Sequence, residues 1–217
     1  MSKTLLLDVD GVLVRDRLLL SHVRDNVAHY VRSKVPQSKN PQRLNAYLLK
    51  TYGHTALGLQ KAFGIDASDF DARVYDRKLI DHLWSVLSGT EFQQDAEIIH
   101  DIAKRGKWKV QLFSNSPNVW TIPVALAISD HVGIHEHDYL KPNGLAYKDF
   151  SPSELYMFID DQVKNLRPVK DFPNWRPIHF EPELNPSRPE FMTIGTMWEV
   201  ELASNVFLDP VQDILEV

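Results

Sequence analysis

The stretch Leu5-Leu6-Leu7-Asp8-Val9-Asp10-Gly11-Val12 is an apolar run that ends in two carboxylates one residue apart. Three leucines bounded by charge read as a buried strand, and the end of a buried strand is an expensive place for acidic groups. Two like charges this close raise each other's pKa and lose solvation unless a cation or a proton compensates them. The pattern therefore asks for a metal ion, for acid–base chemistry, or for both. The plainer alternative is a surface turn in which Asp-Gly simply ends the strand.

Outward from this stretch the apolar period changes. Val23, Val27, Tyr30 and Val31 fall at helical spacing. A polar turn follows, and Asn40-Pro41 sets a capping residue before a proline at the first helical position. Leu44, Tyr47, Leu48 and Leu57 continue an apolar face up to Gly64. A further helix is predicted from Ser68, with Phe70, Val74, Ile80, Leu83 and Leu87 on its inner face. Residues 16–90 thus read as all-helical.

After Gly89 the pattern alternates. A helix over 94–105 stops at Gly106, and a strand runs through Trp108, Val110, Leu112 and Phe113. Pro117 opens a helix, a short strand falls at 132–134 or 138–140, and further strands fall at 155–160 and 177–180. Residues 181–189 read as a loop, 192–202 alternate weakly, and 210–217 read as a short helix. This order predicts an α/β fold: a Rossmann-like parallel sheet with helices on both faces, and an all-helical insertion after strand one. The predicted division is a core of 1–15 and 91–217 with a helical cap domain of 16–90.

The 217-residue chain is long enough for one core with a modest insertion, and its 43% hydrophobic and 24% charged residues are the balance of a soluble globular protein. A net charge of −5 and no basic patch argue against nucleic-acid or membrane partners. Without cysteine there is no disulfide, thiolate metal site or cysteine nucleophile. The run at 5–7 is too short for a signal peptide or a spanning helix. The expectation is a soluble, cytoplasmic protein, its oligomeric state left open.

Three more polar clusters sit at or after predicted strand ends, where ligands bind in open parallel sheets. Ser114-Asn115-Ser116 precedes a helix start and suits an anion, or else caps that helix. Lys141, in Leu140-Lys141-Pro142-Asn143, offers a point charge for phosphate, or else is an exposed lysine. Asp160-Asp161 is a second carboxylate pair, followed by Asn165.

Taken together and in order, Asp8-Val9-Asp10-Gly11-Val12, Ser114-Asn115, Lys141-Pro142 and Asp160-Asp161 resemble the four motifs of the haloacid dehalogenase-like (HAD) hydrolase superfamily. The likeness spans most of the chain, and the helical insertion resembles that family's cap. Tyr52-Gly53-His54-Thr55-Ala56-Leu57-Gly58-Leu59 is similar to a segment of the pyrimidine 5′-nucleotidase-like branch, which makes Tyr52, His54 and Thr55 candidate substrate-binding residues. Tight helix packing is the other reading of its glycines. Only nineteen positions separate Lys141 from Asp160, fewer than usual in the family, so a helix of about two turns is expected between them and Lys148 is the alternative phosphate-binding lysine.

The resemblance implies a Mg²⁺-dependent phosphomonoester hydrolase for a small phosphorylated metabolite, with a nucleoside 5′-monophosphate first among substrates. Asp8 is then the nucleophile that forms an aspartyl-phosphate, and Asp10 the general acid and base. Mg²⁺ ligands come from Asp8, the Asp10 carbonyl, and Asp161 or Asp160, with Asp161 favoured. Ser114, the backbone at Asn115, and Lys141 hold the phosphoryl group, and Asn165 supports the metal ligands. An acid at position 10 suits a phosphatase, since a departing halide needs no proton. A phosphomutase and a non-catalytic binding protein of the same fold are the alternatives. Tyr30, Tyr47, Tyr52, Phe63 and Trp84 are candidates to stack a base or to fill the cap core. His131, His135 and His137 read as a solvated loop or a transition-metal site. Arg15, Arg17 and Arg24 read as a solvated face or as attraction for an anionic substrate.

Overall fold

The computed structural model describes residues 2–183 and 189–206. Six parallel strands form one sheet in the order β3-β2-β1-β4-β5-β6: β1 (Lys3–Leu7), β2 (Lys109–Leu112), β3 (Val132–Ile134), β4 (Leu155–Asp160), β5 (Trp175–Phe180) and β6 (Met192–Ile194). The α/β architecture is thus as expected. The leucine run sits at the centre, with Leu7 paired to Leu112 on one side and Ile159 on the other. Of the two positions offered for a third strand, 132–134 is the strand. The expected helix at 210–217 lies outside the described residues.

Successive residues of β1 serve opposite faces, as the two-residue period requires. Leu5 and Leu7 join the larger core cluster, with residues of α6 (Thr90–Lys104), α7 (Asn118–Ile128) and α9 (Met197–Val206). Leu6 joins the other cluster, with Phe113, Tyr156, Phe158 and Trp175. This second face is covered lightly, by α8 (Val163–Leu166) and single 3-10 turns. Between Lys141 and Asp160 there is one such turn, Gly144–Tyr147, in place of a two-turn helix. Pro142, Gly144 and Pro152 disfavour a longer helix, and the rings of Phe113, Tyr147, Phe150, Tyr156 and Trp175 pack edge to face beside it.

The insert between β1 and β2 begins with α1 (Arg17–Lys34), capped by the Asp16 carboxylate accepting from Leu19 N at 2.7 Å. It continues through α2 (Pro41–Tyr52), α3 (Thr55–Phe63), α4 (Phe70–Val74) and α5 (Arg77–Leu87). Asn40 caps α2 as expected. The helix predicted from Ser68 is two helices, because Asp76 caps a new start at Arg77. Val27, Val31, Leu48, Leu59, Phe70 and Val74 form a separate apolar cluster within the insert. The inner face of α5, with Leu79, Leu83 and Leu87, packs instead into the core beneath the sheet. No helix among the described residues is long and apolar enough to cross a membrane.

Candidate active site

Three adjacent strands deliver the predicted side chains to one end of the sheet. Asp8 and Asp10 follow β1, Ser114 and Asn115 follow β2, and Asp160 closes β4 with Asp161 beyond it. Lys141 arrives from the loop after β3. The Asp8 N–H donates to the Ile159 carbonyl at 2.9 Å, and the Phe113 N–H to the Leu7 carbonyl at 2.8 Å, so the strand register continues into the site.

Lys141 is 1% exposed. Its Nζ lies 2.6 Å from Asp160 Oδ2, 3.2 Å from Asp8 Oδ1 and 2.6 Å from the Phe113 carbonyl. Three partners match the three donors of an ammonium. The rings of Phe113 and Phe158 lie 5.0 and 5.2 Å from the same atom. Burial works to neutralise the ammonium, but the charges of Asp8 and Asp160 outweigh it and hold Lys141 above its ordinary range. Lys148 is exposed, with its Nζ over the Tyr139 ring. Lys141 is therefore the lysine that reaches the carboxylates.

The acidic groups differ in what they bind. Asp160 is fully buried and accepts from Lys141, from Asn165 Nδ2 at 3.0 Å and from Gln162 N at 2.8 Å. Asp161 is different: its Oδ1 is buried with no partner. Burial and the neighbouring Asp160 charge push the Asp161 carboxyl up to about 7. Burial also pushes Asp8 well up, opposed by Lys141 and reinforced by Asp160. Gly11, at φ +87°, leaves the space beside Asp161 open, and a Cβ there would overlap the Asp161 carboxylate.

Asp8, Asp160 and Asp161 each offer an oxygen, all within 4.8 Å of one another. With Asp10 they make four carboxylates against the single Lys141 ammonium. An oxygen-only donor set with surplus negative charge and one orphaned oxygen fits a hard divalent cation.

Asp10 turns away from this group. Ser116 Oγ donates to its Oδ2 at 2.6 Å and Trp120 Nε1 to its Oδ1 at 2.9 Å. Burial raises the Asp10 carboxyl, while these two donors favour its ionised form. Tyr75 backs the indole, with ring centroids 5.4 Å apart. Sequence reasoning missed Trp120, which falls among the apolar residues of α7. The available signal was its N–H, since a buried indole usually needs an acceptor.

The side chain of Asn115 exchanges two 2.8 Å hydrogen bonds with the Lys141 backbone, and Ser114 Oγ accepts from Ser116 N. A cleft of about 1550 Å³ runs between insert and core, with Tyr52 and His54 on one wall and Ser114, Asn115 and Ser116 on the other. It borders the acidic site at Ser114–Ser116, and its walls do not include Asp8, Asp10 or Asp161.

Thr55 is not on the cleft; it is buried in the insert and donates to Asn45 Oδ1. Of the five cap aromatics, Tyr52 lines the cleft, whereas Tyr30 is buried and donates to Asp69. Tyr47, Phe63 and Trp84 are exposed. The His135 and His137 rings stack 6.1 Å apart beyond β3, and His131 lies against His100. Among the described residues the three histidines form no metal-ligating group. Arg15 binds Glu91 and Asp95, and Arg17 pairs with Glu183.

No protein-family model matches the chain, and no curated protein matches it by sequence. Solved structures do match in fold. A HAD phosphatase from Thermococcus onnurineus superposes with a TM-score of 0.59 at 14% identity, covering 93% of this chain and 97% of that one. CbbY from Rhodobacter sphaeroides, in complex with xylulose-(1,5)bisphosphate, gives 0.59 at 15% identity, covering 94% and 99%. The putative HAD-hydrolase YfnB from Bacillus subtilis, bound to magnesium, gives 0.54 at 15%, covering 94% and 99%. At these identities the likeness is one of fold: like these structures, the chain has an α/β core with a parallel sheet and a helical insert after its first strand.

Proposed function

We propose that the protein is a Mg²⁺-dependent phosphomonoester hydrolase of the HAD type, with 1–15 and 91–217 as its core and 16–90 as its cap. One observation carries this reading: a buried Asp8–Lys141–Asp160 chain stands beside Asp161, whose Oδ1 has no partner. The magnesium in the YfnB structure and the phosphatase from Thermococcus onnurineus support it as shared fold.

Asp8 and Asp161 would hold the ion, with the Asp10 carbonyl as a third ligand. Asp160 is the support, since its oxygens are engaged by Lys141 and Asn165. Bound Mg²⁺ would supply charge neutralisation for the transferring group and would favour the ionised forms of its ligands Asp8 and Asp161, with Asp10 left free to carry a proton. An Asp8 carboxylate oxygen attacks phosphorus, the ester P–O bond breaks, and the departing alkoxide takes a proton from Asp10. Asp10, now ionised, takes a proton from water as that water attacks phosphorus. The Asp8–phosphorus bond breaks, which releases phosphate and restores both aspartates. Lys141, Ser114 and the Asn115 N–H stabilise the charge on the transferring group.

The finer reading is a nucleoside 5′-monophosphate as substrate. It is supported by the Tyr52 and His54 rings, which line the cleft opposite Ser114–Ser116. Burial holds His54 below its ordinary range, so its ring meets a substrate uncharged.

The test is phosphate release from a panel of nucleoside monophosphates, sugar phosphates and an aryl phosphate, with Mg²⁺ and with chelator, for wild type and Asp8→Asn. Release that needs Mg²⁺ and is lost in Asp8→Asn is expected. Release that persists in Asp8→Asn would overturn the assignment of the nucleophile. A ranking led by sugar phosphates would overturn the nucleotide reading alone.

A further inference from the structure

The loop that carries Lys141 is fastened to the end of β2 at three successive residues. The Phe113 carbonyl accepts from Lys141 Nζ, and the Asn115 side chain pairs with the Lys141 backbone. Between them, the Ser114 carbonyl faces His137 Nε2 at 3.0 Å. The other ring nitrogen, Nδ1, lies 2.6 Å from the Tyr139 carbonyl. Both partners are carbonyl oxygens, which only accept. A neutral imidazole has one N–H and satisfies one of them, whereas an imidazolium satisfies both.

The surroundings separate His137 from its neighbour. Its ring meets Phe113 edge to face at 5.0 Å and stacks on His135 at 6.1 Å. His135 packs on Phe150, and burial pushes it down to about 4, so it adds no charge at neutral pH. Glu136 and Asp138 flank His137 in the chain. Asp149, Asp71 from α4 and Lys164 from α8 line the same cleft, and the Lys141 ammonium sits on the Phe113 ring.

The Ser114 carbonyl belongs to the same peptide unit as the Asn115 N–H. In a planar trans peptide these two groups point in opposite directions, so fixing one fixes the aim of the other. A charged donor on the carbonyl also polarises the amide and strengthens what its N–H can donate.

We propose that His137, protonated on both ring nitrogens, is a positioning residue for phosphoryl binding, which locks the Ser114–Asn115 peptide so that the Asn115 N–H faces the substrate and ties the lysine loop to that same peptide. The inference rests on the hydrolase reading above and goes beyond it, because it assigns a residue outside the four motifs.

Three measurements on the full chain test it. In the first, nitrogen spectra of histidine-labelled protein, assigned with His137→Gln, report both ring nitrogens of His137 as N–H over the pH range in which inorganic phosphate binds. A neutral tautomer throughout that range overturns the proposal, whether or not the protein turns over a substrate. In the second, calorimetry with inorganic phosphate and Mg²⁺ gives affinity about tenfold weaker for His137→Gln, the scale of one hydrogen bond, at an unchanged thermal midpoint. Equal affinity overturns it. In the third, with a substrate from the panel, His137→Gln raises KM more than it lowers kcat, and loses the part of the pH profile that in wild type follows the second ring proton. An unchanged profile overturns it. Should His137→Gln not fold, the wild-type ring spectrum and a parallel pH titration of phosphate affinity decide. A wild type that binds phosphate through doubly protonated His137 yet releases none from any ester would overturn the hydrolase reading and leave the positioning role standing.

Discussion

Lys141 and Asp160 form an ion pair 2.6 Å long in which the two side chains are 1% and 0% exposed. Such a pair is costly to half-remove, because the remaining charge is stranded away from water. Lys141→Met should therefore destabilise the fold by about 3–5 kcal/mol in urea titrations without metal. Added Mg²⁺ should recover part of this by replacing the lost cation. A loss below about 1 kcal/mol would mean that the carboxylates do not depend on Lys141.

Trp120→Phe keeps a ring in the core and removes the N–H that reaches Asp10. Stability should fall by about 1–3 kcal/mol, from the cavity left by the smaller ring and the lost hydrogen bond. With an alkyl phosphate, kcat should fall at least about tenfold, because an acid out of position no longer protonates the departing alkoxide well. An aryl phosphate, whose leaving group needs less protonation, should be affected less. Equal losses on both substrates would point to packing instead of acid placement.

Asp161 links stability to pH. Its folded carboxyl titrates at about 7 and an unfolded aspartate near 3.9. Between those values the folded chain holds a proton that the unfolded chain lacks. Its contribution to stability is therefore complete below about pH 4 and is lost as pH rises through about 7, at about 1.4 kcal/mol per unit. In metal-free buffer Asp161→Asn should remove this decline. Mg²⁺, competing with the proton, should raise the thermal midpoint more at about pH 8 than at about pH 6. A midpoint shift by Mg²⁺ that is the same at both pH values would contradict Asp161 as a ligand.

His135 works in the opposite direction. Burial pushes it down to about 4, so between about 6.5 and 4 the unfolded chain binds a proton that the folded chain refuses. Its contribution is present above about 6.5 and lost on acidification through about 4. The ring is only partly buried, so the loss should be no more than about 2 kcal/mol. His135→Phe also removes a buried nitrogen, Nε2, that has no partner. It should flatten the acid side of the stability curve, as followed by urea midpoints.

What the sequence made legible was the strand ends. Apolar runs closed by Asp8, Ser114 and Asp160 mark both a strand and its functional terminus, because burial and charge conflict there. Lys141 was legible only as one of two lysines. Distance to Asp160 in the chain says nothing about which ammonium reaches it, and Lys148 points to Tyr139. The break between α4 and α5 was hidden because Asp76 interrupts an apolar period without changing it. The weak alternation over 192–202 was legible, but only Met192–Ile194 of it is strand, and from Met197 the chain is the helix α9. The Trp120–Asp10 bond was only half legible: the indole N–H called for an acceptor, but a tryptophan at helical spacing reads as core and its place in the chain does not say which acceptor it meets.

The central place of β1 has a consequence for how the molecule comes into being on the ribosome. Leu7 pairs with Leu112 and with Ile159, so the strand made first waits for partners made far later, with the whole insert emerging between. The insert has its own apolar cluster and can order while it waits. The acidic centre cannot, because Lys141 and β4 are still unmade. The acidic centre thus comes together only after residue 160 has been made, and a nascent chain stopped before residue 141 should carry Asp8 and Asp10 in water, where they cost nothing.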